Sequence, residues 1–540
     1  MITQPIKFRI VGPDASPEGK DEVILIEDRW NDWFEWVTQY YLAILLKDGT
    51  RIDVGSVKIA REGMSPKDGV TSNFIPKIFH ELGDEYFSVG QTENYYETLA
   101  TLGDDTRIAI LSALKDCALS TGRYERYYNE PVMSRSLMRE LEPARLLGRL
   151  HDLARGSATL TEYKFSYQLP AQDPRLPTPL LSFDVVPASM PPSNVHVLIG
   201  RNGVGKTRLF DLLARSFLGL NSKTGGEVGR FENHSLERLM DGDRHGFAGL
   251  VTVSFSAFDT NGPLVKKSGA VKFRYSYIGL LRFLTDDEAS FFQAQNEILG
   301  KPGAEKTLPD FLTKTRSDLA HEFVESVRDC RVGARRNRWA NALLTLEADP
   351  LFAEANITDI ASAADAEWEA KARYIFDHLS SGHSVVLLAI SRLVADVEEQ
   401  SLVLLDEPEA HLHPPLISAF IRALSDLLTN RNGVAIIATH SPVVLQEVPA
   451  SCVWVVNRSG LSIRADRPEI ETFGENVGVL TRQVFNLEVT NSGFHKMVAT
   501  AVDQQLPYES ILKLFNGQLG AEGRTLARAL SSIPPALSVD

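Results

Sequence analysis

One stretch of this sequence has the residue types and the spacing of a phosphate-binding loop. Residues 200–207 match the pattern G-x-x-x-x-G-K-[ST] at every position. Glycines let backbone N–H groups face phosphate oxygens, and a helix that follows adds a favourable partial charge. We therefore predict a nucleotide site with Lys206 on the β- and γ-phosphates and the Thr207 hydroxyl on Mg²⁺. The residues of this phosphate loop are Gly200, Arg201, Asn202, Gly203, Val204, Gly205, Lys206 and Thr207.

An acidic pair follows an apolar run later in the chain. Leu402–Leu405 is continuously apolar, as expected of a strand inside a parallel sheet, and Asp406 and Glu407 come directly after it. Beside a phosphate loop, Asp406 would complete the Mg²⁺ shell, directly or through water. Glu407 would position and polarise the attacking water. Together with the phosphate loop, the pair predicts nucleotide hydrolysis.

Two more segments have a spacing that suits this chemistry. Residues 379–383 read Leu-Ser-Ser-Gly-His, which we call the signature segment, and they precede a strongly apolar helical pattern. Hydroxyls and N–H groups at a helix start can bind an anion. His440 follows the next apolar strand after the acidic pair, so we expect it at the same sheet edge.

These segments together resemble the head of the ABC-type ATPases, whose signature is Leu-Ser-Gly-Gly-Gln. The resemblance implies binding of ATP with Mg²⁺ and a homodimer, or a higher even oligomer, that sandwiches the nucleotide. It implies that the signature segment meets the γ-phosphate of ATP held by the opposite subunit. His440 would bond the γ-phosphate and orient the water. The residues that it implies are catalytic Lys206, Glu407 and His440, metal-binding Thr207 and Asp406, and Ser380, Ser381 and Gly382 in trans.

The sequence departs from that family in three places. Ser381 stands where glycine is usual, and His383 where glutamine is usual. The strand expected to carry a Mg²⁺-sensing glutamine, at 251–259, has none, and Ser256 is the nearest polar substitute.

Among ABC-type ATPases, the chain most resembles the PtuA family of Septu-type and retron-associated antiphage systems. The wording of residues 406–414 is similar to that of soluble ABC ATPases of repair and phage defence, and residues 472–478 and 515–520 extend the resemblance into the tail. It implies a separate HNH nuclease partner, PtuB-like, and in retron-associated members a reverse transcriptase with its msDNA. Outside the nucleotide site we find no His-Asn-His cluster, so a nuclease would be on another chain.

Other classes remain as alternatives. An overcoming-lysogenisation-type nuclease needs clustered acids after the head, whereas Asp466 and Glu469 are isolated. A stand-alone DNA repair ATPase would show long coiled-coil heptads or a zinc hook. An ATP-gated scaffold, in which slow hydrolysis serves only as a timer, overlaps the hypothesis of a defence ATPase with a separate nuclease. A transporter ATPase is disfavoured by the long extensions on both sides of the head.

The elements that must position these residues suggest an α/β fold. We predict an ABC-type ATPase head, with a mixed sheet and flanking helices, plus extensions. The predicted parts are an N-terminal α+β extension (1–158), an ATPase N-lobe with the phosphate loop (159–259), a helical insertion (260–375), an ATPase C-lobe (376–468) and a helical C-terminal tail (469–540). In the first part, apolar residues between Ile75 and Leu82 predict a helix. In the tail, Phe473, Phe485, Phe494 and Phe515 are candidate partner anchors or packing residues.

Composition places limits on the partners. The net charge of −14 argues against uniform coating of nucleic acid, so such contact must be local. Arg328, Arg331, Arg335, Arg336 and Arg338 form the one basic cluster, and we favour an intramolecular role for it over a phosphate contact. Three widely spaced cysteines, short apolar runs and the absence of an N-terminal signal pattern predict a soluble cytoplasmic protein without membrane contact.

Two smaller patterns have competing interpretations. Tyr86, Phe87, Tyr95 and Tyr96 could form a recognition surface, but we favour packing in a core. His411 and His413 have a spacing that zinc sites use, yet no third ligand is near in sequence, so we reject zinc.

Overall fold

The N-terminal part of the chain folds around a six-stranded sheet in the computed structural model. The structure describes the chain except for residues 1–4, 14, 16–17, 29–35, 69, 140, 142, 157–161, 172, 174, 224, 235–246, 256–261, 266–272, 289, 291–309, 365, 492, 504–505 and 532–540. The strands are β1 (Phe8–Val11), β2 (Glu22–Glu27), β3 (Gln39–Leu45), β4 (Arg51–Arg61), β5 (Ile78–Phe79) and β6 (Tyr86–Gly90). Their order is β5-β1-β2-β3-β4-β6, with β1 and β2 parallel and the other pairs antiparallel.

Helices cover this sheet and complete its core. They are α1 (Glu93–Ala100), α2 (Asp104–Ala113), α3 (Thr121–Tyr127), α4 (Pro143–Arg145) and α5 (His151–Arg155), with π-helical turns at Met133–Leu137 and Leu146–Leu150. The four aromatic residues at 86–87 and 95–96 are all buried, and Phe87 stacks on Tyr127 with ring centroids 4.6 Å apart. The packing interpretation of this aromatic cluster is therefore confirmed.

The helix predicted between Ile75 and Leu82 is wrong. Ile78–Phe79 forms β5, which pairs antiparallel with β1 so that Phe8 lies opposite Phe79. Their rings stack at 5.0 Å with an interplanar angle of 5°. Pairing with a strand about 70 residues away in the chain decides this segment, and a local apolar pattern cannot reveal such a partner.

The predicted ATPase head is a second, seven-stranded sheet. Its strands are β9 (Val195–Ile199), β11 (Gly249–Ser254), β12 (Arg274–Gly279), β15 (Ser401–Asp406), β16 (Val434–Thr439), β17 (Val453–Ser459) and β18 (Ser462–Asp466). The order is β12-β11-β15-β16-β9-β17-β18, and every neighbouring pair is parallel except β17 with β18. The carboxyl ends of β15, β16 and β9 therefore lie side by side at one edge of the sheet, where parallel sheets bind their ligands.

Both faces of this sheet are covered, which explains its apolar strands. One face carries α6 (Lys206–Leu218) and a small antiparallel sheet of β7 (Tyr163–Gln168), β8 (Leu180–Val185) and β10 (Arg230–Asn233). The other face packs on helices from α7 (Arg316–Cys330) to α13 (Pro414–Asn430). Those between are α8 (Ala334–Leu346), α9 (Pro350–Ala355), α10 (Asp359–Ser362), α11 (Trp368–His378) and α12 (Ser381–Asp396). The α/β class predicted for the head is confirmed.

The prediction of a mostly helical stretch at 260–375 is wrong for its first part. There the described residues contain β12, which is the edge strand of the central sheet, and the short hairpin of β13 (Leu281–Phe283) and β14 (Phe311–Thr313). Among the described residues of this stretch, the long helices begin at α7. The amphipathic pattern that suggested helices belongs to the second part of the stretch.

The C-terminal tail is helical, as predicted. After α14 (Pro442–Leu445), it comprises α15 (Val477–Asn491), α16 (Gly493–Asp503), α17 (Tyr508–Leu514) and α18 (Ala521–Ser531). A small core joins α16, α17 and α18 through Val498, Ala501, Ile511 and Ala527. Across the described residues, no helix has the length and apolar character needed to cross a membrane.

A buried ionic cluster joins the N-terminal part to the head. Arg431, which follows α13, donates to Glu93 of α1 at 2.7 Å, and both side chains are about 97% or more buried. Arg431 also pairs with Glu97. The further pairs are Arg145 with Glu93 and Glu398, Arg149 with Glu399, Arg274 with Glu398, and Arg338 with Glu97. Opposite charges from distant parts of the chain thus neutralise each other at this junction.

Candidate nucleotide site

The phosphate loop connects β9 to α6 at the carboxyl edge of the central sheet. Gly205 has φ +99°, a value that favours glycine, and it caps the N-terminus of α6. A Cβ on Gly200 would lie 2.4 Å from the Val456 carbonyl oxygen, so a larger residue cannot stand there without a shift of the backbone. The glycine positions of the motif are thus required by backbone geometry.

Lys206 is buried at the first turn of α6. Its Nζ donates to the carbonyl oxygens of Gly200 and Arg201, at 3.0 and 3.2 Å. Burial lowers the pKa of Lys206, and the nearby acidic residues, Glu407 first, oppose that effect. The Lys206 ammonium group therefore lies against the phosphate loop, where an incoming phosphate could replace the Gly200 and Arg201 carbonyl oxygens as its hydrogen-bond acceptor.

The acidic pair lies beside this loop. Asp406 ends β15 and is in register with Ser254 of β11 on one side and Ala438 of β16 on the other. Glu407 has φ +46°, which is uncommon for a residue with a side chain and is found where function demands it. Its Oε1 lies 3.9 Å from Lys206 Nζ. A cavity of about 300 Å³, open to solvent, is lined by Glu407 and by Asn202, Gly203, Gly205, Lys206 and Thr207.

The two residues predicted to hold Mg²⁺ line a second cavity, and Thr207 borders both cavities. Thr207 and Asp406 line this second cavity together with Asp211, Thr252 and Ser254. A hydroxyl and carboxylates are the oxygen donors that Mg²⁺ accepts, so this set fits the ion. Ser256, the predicted substitute for the missing glutamine, lies outside the described residues.

His440 reaches the same edge from the end of β16. Its Nδ1 lies 3.7 Å from Glu407 Oε1 and 3.1 Å from Glu409 Oε1. Its pairing with Glu407, and then the charge of Glu409, raise the pKa of His440 above its ordinary value although burial opposes them. In turn, His440 holds the pKa of Glu407 below its ordinary value. The pair therefore favours an imidazolium beside a carboxylate.

Glu409 is a site residue that the sequence reasoning missed. Its Oε1 accepts from Thr439 Oγ1 at 2.5 Å and from the His440 backbone N–H at 2.8 Å. The side chain is only 6% exposed. An acidic residue two positions after the acidic pair was the available signal, but its partners come from β16, which sequence spacing cannot place.

The signature segment lies elsewhere in the same chain. Ser380 caps α12, and Ser381 and Gly382 form its first turn. None of the three is among the residues that line the cavity over the phosphate loop. The fold thus brings Lys206, Glu407 and His440 together and leaves the signature serines at a separate helix start.

The remaining candidates have structural roles in the described chain. Arg331 donates to the carbonyl oxygens of Ile360 and Ala363, each at 2.8 Å, and its guanidinium lies over the Trp368 ring. Together with the Arg338–Glu97 pair, this confirms the intramolecular interpretation for these arginines of the basic cluster. His413 contacts Asp349, whereas the side chain of His411 is outside the described residues.

Comparisons with known proteins agree with this geometry. Residues 195–446 match a family model described as "AAA domain, putative AbiEii toxin, Type IV TA system". The chain is 38% identical over 532 residues to protein ea59 of Escherichia phage lambda, and the match covers 95% of each chain. It is also similar to two solved structures, but the fold assignment rests on its own strand order. These are MJ1267, an ATP-binding cassette of an ABC transporter (15% identity, TM-score 0.28, 61% of this chain, 99% of that chain), and UvrA2 from Deinococcus radiodurans (14%, 0.23, 57% and 38%).

Proposed function

The chain belongs to the family of protein ea59 of Escherichia phage lambda and carries a P-loop ATPase domain of the AAA/ABC type, and we propose that it hydrolyses ATP. One observation carries the proposal. Lys206, Glu407 and His440 come from three separate elements, and Glu407 Oε1 lies 3.9 Å from Lys206 Nζ and 3.7 Å from His440 Nδ1 beside the phosphate loop. A cation, a carboxylate and an imidazole around one phosphate-binding loop are the groups that phosphoryl transfer to water needs.

Each side chain has a distinct part in the proposed reaction. The backbone N–H groups of the loop and Lys206 bind the phosphates, and His440 as imidazolium donates to the γ-phosphate. Glu407 accepts a hydrogen bond from the attacking water and so orients it in line. Thr207 and Asp406 would hold Mg²⁺, which neutralises charge that develops on the phosphate oxygens.

The test of this proposal separates binding from turnover. Glu407→Gln keeps the size of the side chain but removes its negative charge, so it should bind ATP and release phosphate at a rate lower by about 100-fold or more. The control is Glu471→Gln, which makes the same change of carboxylate to amide in the tail segment, where Glu471 accepts from the backbone N–H groups of Ala450, Thr472 and Phe473. Normal turnover by Glu407→Gln would contradict the role assigned to Glu407. The control Glu471→Gln should hydrolyse ATP at the wild-type rate.

We propose further that the ATPase works as a homodimer, or higher even oligomer, within an antiphage system of the Septu or retron-associated type. The resemblance of residues 406–414 and of the tail supports this, and so does the fact that a relative is encoded by a phage. Phage-borne genes that exclude competing phages would explain such a relative. The proposed partner is an HNH nuclease on another chain, with a reverse transcriptase and msDNA in a retron-associated system.

The tail is the proposed docking surface for that nuclease. Phe485 packs against the core of the head and Phe515 against the small tail core, whereas Phe473 and Phe494 are each 43% exposed. A Phe473→Ser/Phe494→Ser double variant should therefore keep ATP binding and lose the nuclease and phage protection. Phe485→Ser is the control expected to lose folding instead. Robust DNA or tRNA cleavage by the highly purified single chain, unaffected by Glu407→Gln, would contradict the two-chain proposal and favour the alternative of a nuclease within this chain.

A further inference from the structure

The signature segment is connected to a buried chain of polar groups that the proposed mechanism does not use. Ser380 Oγ lies 2.7 Å from His383 Nδ1, and it also accepts from the His383 backbone N–H at 3.4 Å. His383 Nε2 lies 3.0 Å from Asp349 Oδ1. On the other oxygen of that carboxylate, Oδ2, His413 Nε2 lies at 3.1 Å. A single carboxylate thus connects two imidazoles and, through one of them, a serine.

Burial makes this arrangement rigid at its centre. The side chains of Asp349 and His383 are 2% and 7% exposed, and the edge of the Phe352 ring packs on the His383 ring at 4.9 Å. Asp349 also accepts from the backbone N–H groups of Leu351 and Phe352, at 2.9 and 3.4 Å, and so caps α9. Burial alone would raise the pKa of Asp349, but the hydrogen bonds from His383 and these N–H groups hold it below its ordinary value.

The ionised carboxylate determines the proton on each ring nitrogen. A carboxylate can only accept, so His383 must donate from Nε2. In a neutral imidazole the remaining nitrogen, Nδ1, is then an acceptor, and it accepts a hydrogen bond from the Ser380 hydroxyl. Consequently the direction of the Ser380 O–H bond is set by Asp349 through His383. The side chain of Ser380 is exposed on its other side, where a ligand can approach.

Three of these four polar groups stand immediately before the starts of three different helices. Asp349 precedes α9, Ser380 precedes α12 and His413 precedes α13. His413 belongs to residues 408–414, which directly follow Asp406 and Glu407 in the chain. The Asp349 carboxylate therefore contacts both His383 of the signature segment and a histidine close in sequence to Glu407. His413 is 49% exposed, which leaves it accessible to a second subunit.

We propose that Asp349 and His383 are positioning residues that orient the Ser380 hydroxyl for the γ-phosphate of ATP held by a second copy of this chain. The inference rests on the proposed ATPase function and explains why histidine stands at 383, where glutamine is usual. When a phosphate approaches, the Ser380 hydroxyl can turn from His383 Nδ1 and donate to a phosphate oxygen, while the His383 backbone N–H still holds Ser380 Oγ in place. Asp349, which fixes the His383 ring, therefore keeps the serine oxygen where the phosphate must arrive. The described charged or titratable groups that contact His383 are Asp349 from α9 and, with ring centroids 5.9 Å apart, His413 from α13.

The experiment measures ATP-dependent dimerisation by light scattering, together with ATP binding by the separate subunits, in the full chain. Ser380→Ala, His383→Ala and the double variant should each weaken ATP-dependent dimerisation by about tenfold, as expected for a residue that acts through another. The double variant should be no worse than either single variant, because both remove the same interaction. Binding of ATP by the monomer should stay unchanged in all three.

The conservative variant His383→Gln distinguishes positioning from simple packing. A glutamine amide can donate to Asp349 and accept from Ser380, so His383→Gln should dimerise with ATP nearly as well as the wild type, whereas His383→Ala should not. Asp349→Asn should reduce dimerisation to the level of His383→Ala; if it fails to fold, His383→Gln alone decides. The control is Glu347→Gln, because that carboxylate lies two residues from Asp349 but bonds Thr358 instead, and it should behave as wild type.

Two results would overturn this inference. One is additive losses in the Ser380→Ala/His383→Ala double variant, and the other is dimerisation of His383→Gln as weak as that of His383→Ala. In either case the proposed ATPase function would stand as long as the wild type binds and hydrolyses ATP. Failure of the wild type itself to bind ATP would instead reject the proposed function.

Discussion

At the scale of single residues, His440 derives its properties from two glutamates. Glu407 and Glu409 lie on the same side of its ring, at 3.7 and 3.1 Å from Nδ1, and both raise its pKa above 6.5. A raised pKa means that folding favours the protonated imidazole. Its contribution to stability is therefore fully present below pH 6.5 and is lost as the pH rises through the higher folded value.

Glu409→Gln should lower the pKa of His440, because the amide carries no charge to stabilise the imidazolium. In a plot of turnover rate against pH, the fall in rate that accompanies loss of the His440 proton should move to lower pH. Binding of ATP by the monomer should change little. NMR titration of the His440 ring, with Glu471→Gln as the control, measures this directly. An unchanged His440 titration in Glu409→Gln would show that Glu409 is not its electrostatic partner.

The residues of the site differ in how far the sequence could predict them. The phosphate loop and the acidic pair are contiguous motifs, so their chemistry is visible without a structure. Glu409 and Asp349 act on partners that lie 30 or more positions away in the chain, and only the fold brings those partners together.

At the scale of elements, the ionic cluster at Arg431 fixes α1 of the N-terminal part against the end of α13. Removal of one partner from a buried pair leaves a charge without compensation and costs about 3–5 kcal/mol. Arg431→Leu should therefore lower the urea midpoint of unfolding markedly. Arg51→Leu is the control, because the Arg51–Asp53 pair is exposed and should contribute about 1 kcal/mol or less. Equal effects of the two variants would contradict the structural role of the cluster.

Element prediction succeeded where a local pattern decides the structure and failed where a distant strand does. The buried strand at Leu402–Leu405 and the apolar strand that His440 follows were predicted because an all-apolar run suits a sheet that is covered on both faces. By contrast, β5 and β12 are edge strands whose existence depends on partners far away in sequence, Phe8 and its neighbours for β5 and β11 for β12. Their own residues are too few or too polar to indicate a strand.

At the scale of the whole molecule, the proposed dimer predicts that the signature segment of one subunit completes the nucleotide site of the other. Lys206→Ala and Gly382→Asp chains should each be inactive alone, since the first lacks the phosphate cation and the second places a carboxylate against the γ-phosphate. An equal mixture should recover about a quarter of wild-type turnover, because half of randomly paired dimers are mixed and each has one intact site. Absence of any recovery, also after co-expression, would remove the support for pairing in trans.

The central claim is that residues 200–207, with Asp406 and Glu407, form an ATP site. Its most direct test is titration of purified wild type and Lys206→Ala with a fluorescent ATP analogue in the presence of Mg²⁺. We expect saturable binding by the wild type and affinity weaker by about tenfold or more in Lys206→Ala, which loses a charge-assisted bond to phosphate. Equal affinity of the two proteins for the analogue would contradict the account.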